Sequence, residues 1–187
     1  MTGGKVQYVA KGGNFRKHGF EYTGAMSVLT TILQYEYLWI KVRVQGGAYG
    51  AHTRFSPNGD LVFCSYRDPN LAKTIQAYDD LPSYLESFDI PEREMTKYVI
   101  GTLSRIDVPL TPQLRTVAAM ANYFNNDTKE ENQQRRDQIL TADAEDIRAL
   151  APLVKAVMKD NTVCVMGSER KIKEESRFFK ETVFLPK

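Results

Sequence analysis

The sequence has little of what most metal and thiol chemistry requires. Only two histidines, His18 and His52, occur in 187 residues, so a three-histidine metal site within the chain is excluded. The two cysteines, Cys64 and Cys164, are too few for a disulfide framework. A reducing, intracellular location, in cytoplasm or organelle matrix, is therefore expected. Excess charge of one sign is also missing: 25 Lys and Arg against 23 Asp and Glu leave +2. That balance gives no global electrostatic reason to favour nucleic acid or an anionic membrane. No apolar run approaches the roughly 20 residues of a membrane-spanning helix. The segment from Met1 to Lys5 has no apolar stretch behind its lysine, as a signal peptide would. Internal repeats and low-complexity linkers are absent.

What remains is an ordinary globular composition: 42% hydrophobic, 11% aromatic and 26% charged. A chain of this length buries roughly 70% of its unfolded surface, and residues 1–187 are expected to form a single α+β domain. Val6, Tyr8 and Ala10 set against Lys5, Gln7 and Lys11 predict a strand that Gly12-Gly13-Asn14 ends. A long helix, apolar on several sides, is predicted from about Thr23 to Ile40, followed by an extended, glycine-interrupted segment from Val42 to Gly50. Strands from about Tyr49 to Phe55 and from Leu61 to Tyr66 flank the turn Ser56-Pro57-Asn58-Gly59-Asp60, which reads as a β-hairpin. Asp68-Pro69-Asn70 opens a helix through Leu71, Ile75 and Tyr78, with a break or restart at Pro82. Pro91 with Glu92 and Glu94 starts a helix carrying Met95, Val99, Leu103 and Ile106 on one face. Thr111-Pro112 starts the next, with Leu114, Val117, Ala121 and Phe124. Thr128-Lys129-Glu130-Glu131 is a capping box heading a charged helix. Ile147, Leu150, Ala151, Val154 and Val157 mark a further helix that Pro152 bends. Thr162 to Gly167 reads as a continuous apolar strand, with a short helix and a final strand near Val183–Leu185 behind it. A hairpin joined to a helical block implies a mostly antiparallel sheet covered by helices, an α+β fold.

Several groupings resemble chemistry and fail a closer reading. His18-Gly19-Phe20-Glu21-Tyr22 approaches an inverted zincin motif, but Tyr22 stands where a second histidine is needed and the segment is a glycine-containing loop. Cys64 and Cys164 lie in apolar strands and read as buried structural thiols. His52 alternates within a strand as a core or surface residue. Gly46-Gly47-Ala48-Tyr49-Gly50 lacks the Lys-Ser/Thr of a phosphate loop and precedes a strand. Glu130 and Glu131 with Arg135 and Arg136 form an opposite-charge helix surface. Arg43 and Tyr49 hold more interest. Both flank a glycine segment, both are donors, and together they suit a carbonyl oxygen or a developing oxyanion.

The stretch Leu38-Trp39-Ile40-Lys41-Val42-Arg43-Val44-Gln45-Gly46-Gly47-Ala48-Tyr49-Gly50-Ala51 resembles the C-terminal half of pitrilysin/insulinase-type zinc metalloproteases, closest to the presequence-protease subclass. Ser65-Tyr66-Arg67-Asp68-Pro69-Asn70 is similar to that subclass as well. The likeness is strongest over residues 37–78 and continues more loosely through Thr128, Glu130, Glu131, Arg135, Arg136, Ile139 and Leu140. It implies a metalloprotease-half domain, the last of four homologous α+β domains around a peptide-degrading chamber. The first domain of that family carries His-x-x-Glu-His, which this chain lacks; zinc is expected in the N-terminal half of the full enzyme and none in this chain. The resemblance further implies that Arg43 and Tyr49 reach the scissile carbonyl of an unstructured peptide. Zinc-bearing N-terminal domains, in the same polypeptide or a partner chain, would be the other party, with neither nucleic acid nor membrane involved. The isolated chain is expected to be inactive. A second reading is a non-catalytic structural or peptide-binding subunit of the same fold.

Overall fold

Alternation of apolar and polar side chains along three strands builds one covered sheet face. The computed structural model describes residues 5–183. In chain order it contains β1 (Gln7–Asn14), α1 (Gly24–Ile32), π-helical stretches at Leu33–Tyr37 and Trp39–Val44, β2 (Gly50–Phe55), β3 (Asp60–Asp68), α2 (Ala72–Asp79) and α3 (Leu81–Glu86). Then follow α4 (Glu92–Ile106), α5 (Pro112–Asn125), α6 (Lys129–Leu140), α7 (Ala144–Arg148), α8 (Ala151–Lys159), β4 (Thr162–Met166) and α9 (Glu169–Glu174). The sheet order is β2-β3-β1-β4 and each of its pairings is antiparallel. The α+β layer expected from the sequence is what forms.

Val9, Lys11, Thr53, Phe55, Leu61, Phe63 and Ser65 point to the helix-covered face and are buried. Against them lie α1, α2 and α8, which contribute Val28, Leu29, Ile32, Ile75, Tyr78, Leu153, Val154 and Val157 to one core. Each such side chain contributes about 1.5–3 kcal/mol relative to remaining exposed. The opposite face carries Tyr8, Cys64, Tyr66, His52, Cys164 and Met166, from half-buried to exposed.

The hairpin and the capping box form as the sequence predicts. Ser56 donates to the Asp60 carbonyl at 2.8 Å, and Thr128 and Glu131 bond reciprocally at 3.1 Å. Other expectations are corrected. β1 runs on through Gly12-Gly13-Asn14, because Gly12 lets β3 approach: a Cβ there would stand 2.3 Å from the Leu61 carbonyl oxygen. The helix predicted to end at Ile40 continues to Val44, since Val42 is buried in the core. Residues 144–159 form two helices, with Pro152 in the first turn of α8 rather than bending a single one. β4 is an edge strand whose Thr162, Cys164 and Met166 are exposed. Cys164 is therefore no buried thiol, and Cys64 is half-buried. On α4, Met95 and Val99 are buried as expected but Ile106 is exposed. α5 has the expected apolar spacing yet buries no residue. Arg135 and Arg136 pair with Asp127 and Asp107 rather than along their own helix. Val183 is irregular, and the rest of the expected last strand lies outside the described residues.

One cation is held inside. Lys11 is 3% exposed, and its ammonium donates to Asp79 at 2.6 Å and to the Asn161 side chain at 3.0 Å. The contact ties β1 to the end of α2 and to the turn before β4. Asp79→Ala leaves the buried ammonium short of a partner and is expected to destabilise the fold by about 1–3 kcal/mol. Lys11→Met, which removes the charge and keeps the stem, should cost less. Urea denaturation of both variants checks the order; an equal or larger loss for Lys11→Met would refute it.

Candidate functional site

The helix that begins at Gly24 reaches Val44 by widening its turns. Leu38 donates to the Leu33 carbonyl and Gln45 to that of Ile40, both five residues back. Such π turns rotate the residues that follow about the axis and recur at functional positions. The helix stops at Gly46-Gly47. Gly47 has φ +79°, and a Cβ on Gly46 would meet the Val42 carbonyl oxygen at 2.4 Å. Gly47 then donates to Arg43 at 2.8 Å and Ala48 to Val42 at 3.1 Å, satisfying carbonyls that the helix end leaves open. The glycines thus terminate a helix; they do not bend a strand as the sequence suggested.

Arg43 and Tyr49 stand on either side of this turn and line one shallow hollow of about 560 Å³, together with Trp39, Gly47 and Arg67. The Arg43 guanidinium carbon lies over the Trp39 ring, 3.9 Å from its centroid, a cation–π contact that does not use up its N–H donors. Trp39 is 46% exposed and Tyr49 66%. The Tyr49 backbone is pinned to β3, donating to Tyr66 at 3.1 Å and to Arg67 at 3.4 Å. Its ring meets Tyr66 edge-on at 5.5 Å, and Tyr66 meets Tyr8 in the same way at 5.4 Å. The Arg67 guanidinium sits 5.9 Å from the Tyr49 ring and 5.5 Å from that of Tyr66. Arg67 also holds a left-handed backbone, φ +47°, rare for a non-glycine residue. Among the described residues no carboxylate lines the hollow. Two guanidinium groups and a phenol make it a donor-rich, positive surface suited to an oxygen acceptor.

The sequence therefore identified two residues that the fold does bring together. It missed Trp39, which it offered only as an apolar helix residue, although the four-residue spacing to Arg43 was a readable signal. Arg67 stood in the Ser65–Asn70 stretch that carried the resemblance, but its place beside Tyr49 was not readable, because it depends on how β3 ends.

The remaining polar groups are occupied elsewhere or scattered. His18 pairs with Asp160 at 2.9 Å and Glu21 with Arg16 at 3.4 Å. His52 is exposed on β2, opposite Cys64 on β3. Burial, with Cys164 as a lesser cause, pushes the Cys64 thiol above its ordinary range, away from the thiolate that catalysis would need. Among the described residues no group of three or more His, Cys, Asp or Glu is arranged to hold a metal. The described residues do not fit a zinc ion.

Comparison with known proteins gives a consistent result. The family model described as PreP C-terminal domain matches residues 2–169. Protein HypA of Clostridium perfringens is 48% identical over 179 residues, covering 96% of this chain and 18% of that protein. Presequence protease 1, chloroplastic/mitochondrial, of Arabidopsis thaliana is 33% identical over 180 residues, 94% of this chain and 17% of that protein. This chain thus spans under a fifth of the length of either relative. Among solved structures, pitrilysin superposes with a TM-score of 0.63 at 10% identity, over 88% of this chain and 18% of its own.

The metal-ligand deficit makes a simple expectation. The isolated chain, purified without added zinc, should contain far less than one zinc per chain by atomic absorption. Added zinc should leave its Tm unchanged. Stoichiometric zinc would place His18 or His52 in a metal centre and overturn the reading.

Proposed function

Because the chain belongs to the PreP C-terminal domain family and shares its fold with pitrilysin, we propose that it is the C-terminal, non-zinc domain of a metalloendopeptidase that degrades unstructured peptides. In this reading residues 1–187 act as one domain, and zinc is held by another domain of the assembled enzyme. The partners are those zinc-bearing domains and the peptide substrate. No helix of the described residues is long and apolar enough to cross a membrane. A location in cytoplasm or an organelle matrix is part of this reading, and the chloroplastic/mitochondrial presequence-protease relative supports the organelle.

The observation that carries the proposal is the shared hollow of Arg43 and Tyr49, lined by no carboxylate among the described residues. When a peptide bond is attacked, its carbonyl oxygen gathers negative charge. A guanidinium and a phenol that each donate hydrogen bonds hold that oxygen more tightly as the charge grows. Trp39 limits the directions the guanidinium can take, so less ordering is left for the reaction itself. Zinc held by another domain would supply the Lewis-acid chemistry for the attacking water; this chain contributes donors and shape.

Loss of one donor of this kind typically costs ~10²–10³ in kcat. Arg43→Ala and Tyr49→Phe, each in the assembled enzyme, are expected to lower kcat by about that factor with zinc content intact. Steady-state cleavage of a fluorogenic peptide, paired with metal analysis, measures both. A kcat equal to that of the unaltered enzyme in both variants would remove the proposed role.

A further inference from the structure

Arg43 and Tyr49 rest on different supports. Arg43 rides on the end of the long helix, whereas Tyr49 is fixed by its backbone to β3. Two donors converge on one oxygen only if those supports keep a fixed separation. The bonds from Gly47 to Arg43 and from Ala48 to Val42 are internal to the helix end and cannot set it. A hydrogen bond from the connection between β3 and α2 crosses the gap: Asn70 Nδ2 donates to the Gly46 carbonyl oxygen at 2.5 Å.

Asn70 is itself anchored. Its backbone N–H donates to Asp68 Oδ1 at 2.8 Å, and Thr74 Oγ1 donates to Asp68 Oδ2 at 2.6 Å. Asp68 is fully buried at the end of β3, paired in register with Gln7 of β1. A chain of contacts thus runs from the sheet interior through Asp68 and Asn70 to the carbonyl at the helix end. The same strand that pins Tyr49 therefore also holds the helix carrying Arg43. Asn70 does not line the hollow.

We propose that Asn70, through its bond to Gly46, is the positioning residue that sets Arg43 against Tyr49, an inference that rests on the carbonyl-holding role proposed for that pair. Because the pair tightens on the transition state, displacement of Arg43 lowers turnover without weakening substrate binding. A shift of about 1 Å in such a group can cost as much as ~10²-fold.

The test is a mutant cycle in the assembled, zinc-bearing enzyme. Asn70→Ala is expected to lower kcat about tenfold or more, with KM, zinc content and Tm unchanged. Asn70→Ser, polar but too short to reach Gly46, gives the same loss and serves if the alanine variant folds poorly. With Arg43→Ala already in place, Asn70→Ala should cost less than about threefold, because there is no guanidinium left to misplace. Full multiplication of the two losses would overturn the inference. So would an unchanged kcat in both Asn70 variants while Arg43→Ala alone is slow, which leaves the role of the pair standing. A normal kcat in Arg43→Ala and Tyr49→Phe would bring down both readings together.

Discussion

The fold depends on β1 being an interior strand. It pairs with β3 on one side and with β4, some 150 residues further along, on the other. Closing so long a loop costs conformational entropy before any contact offsets it. The covered face of β1 supplies that return through Val9 and the aliphatic stem of Lys11. At the tip of the stem, Asp79 and Asn161 receive the ammonium, so the strand, the helix after β3 and the turn into β4 meet at one point. Gly12 admits the neighbouring strand on the same element. Without β1, the hairpin would be a two-stranded ribbon with only marginal stability of its own.

Much of this was legible in the sequence because local rules and the fold agree. The hairpin turn, the capping box at Thr128 and the helix starts at Pro91 and Thr111-Pro112 are each set by a few adjacent residues. The errors share one cause. Gly12-Gly13 and Gly46-Gly47 both read as interruptions, yet one pair sits inside a strand and the other closes a helix. Which role a glycine takes depends on what approaches it from elsewhere in the chain. Val42 and Val44 favour strands by propensity, but burial of Val42 against the core overrode that preference. The apolar reading of β4 failed similarly: its side chains suit a covered strand, and only the sheet order makes it an edge.

The candidate site was half legible. Arg43 and Tyr49 drew notice as two donors flanking glycines, and only the resemblance made them a site. Their mutual support could not be read, since it is built from the way β3 leaves the sheet: a left-handed Arg67, a buried Asp68 and a bend at Pro69. Sparsely populated backbone states of this kind persist only where the surroundings hold them. The Asp68 carboxylate supplies that hold by receiving two hydrogen bonds away from water.

α5 has a different status. Thr111 caps its start and a left-handed Asn126 its end, but no side chain between them is buried, and Tyr123 is 82% exposed. A helix of 14 residues secured by its caps alone is marginal in water. Its large apolar side chains are already half or more exposed, so its unwinding uncovers little surface compared with global unfolding and responds less steeply to denaturant. The molecule accordingly has two thresholds of order: one for α5, near the free energy of a lone helix, and a much higher one for the sheet and the helices packed on it. Backbone amides of α5 are therefore the ones that trade their hydrogens with solvent while β1 still keeps its own.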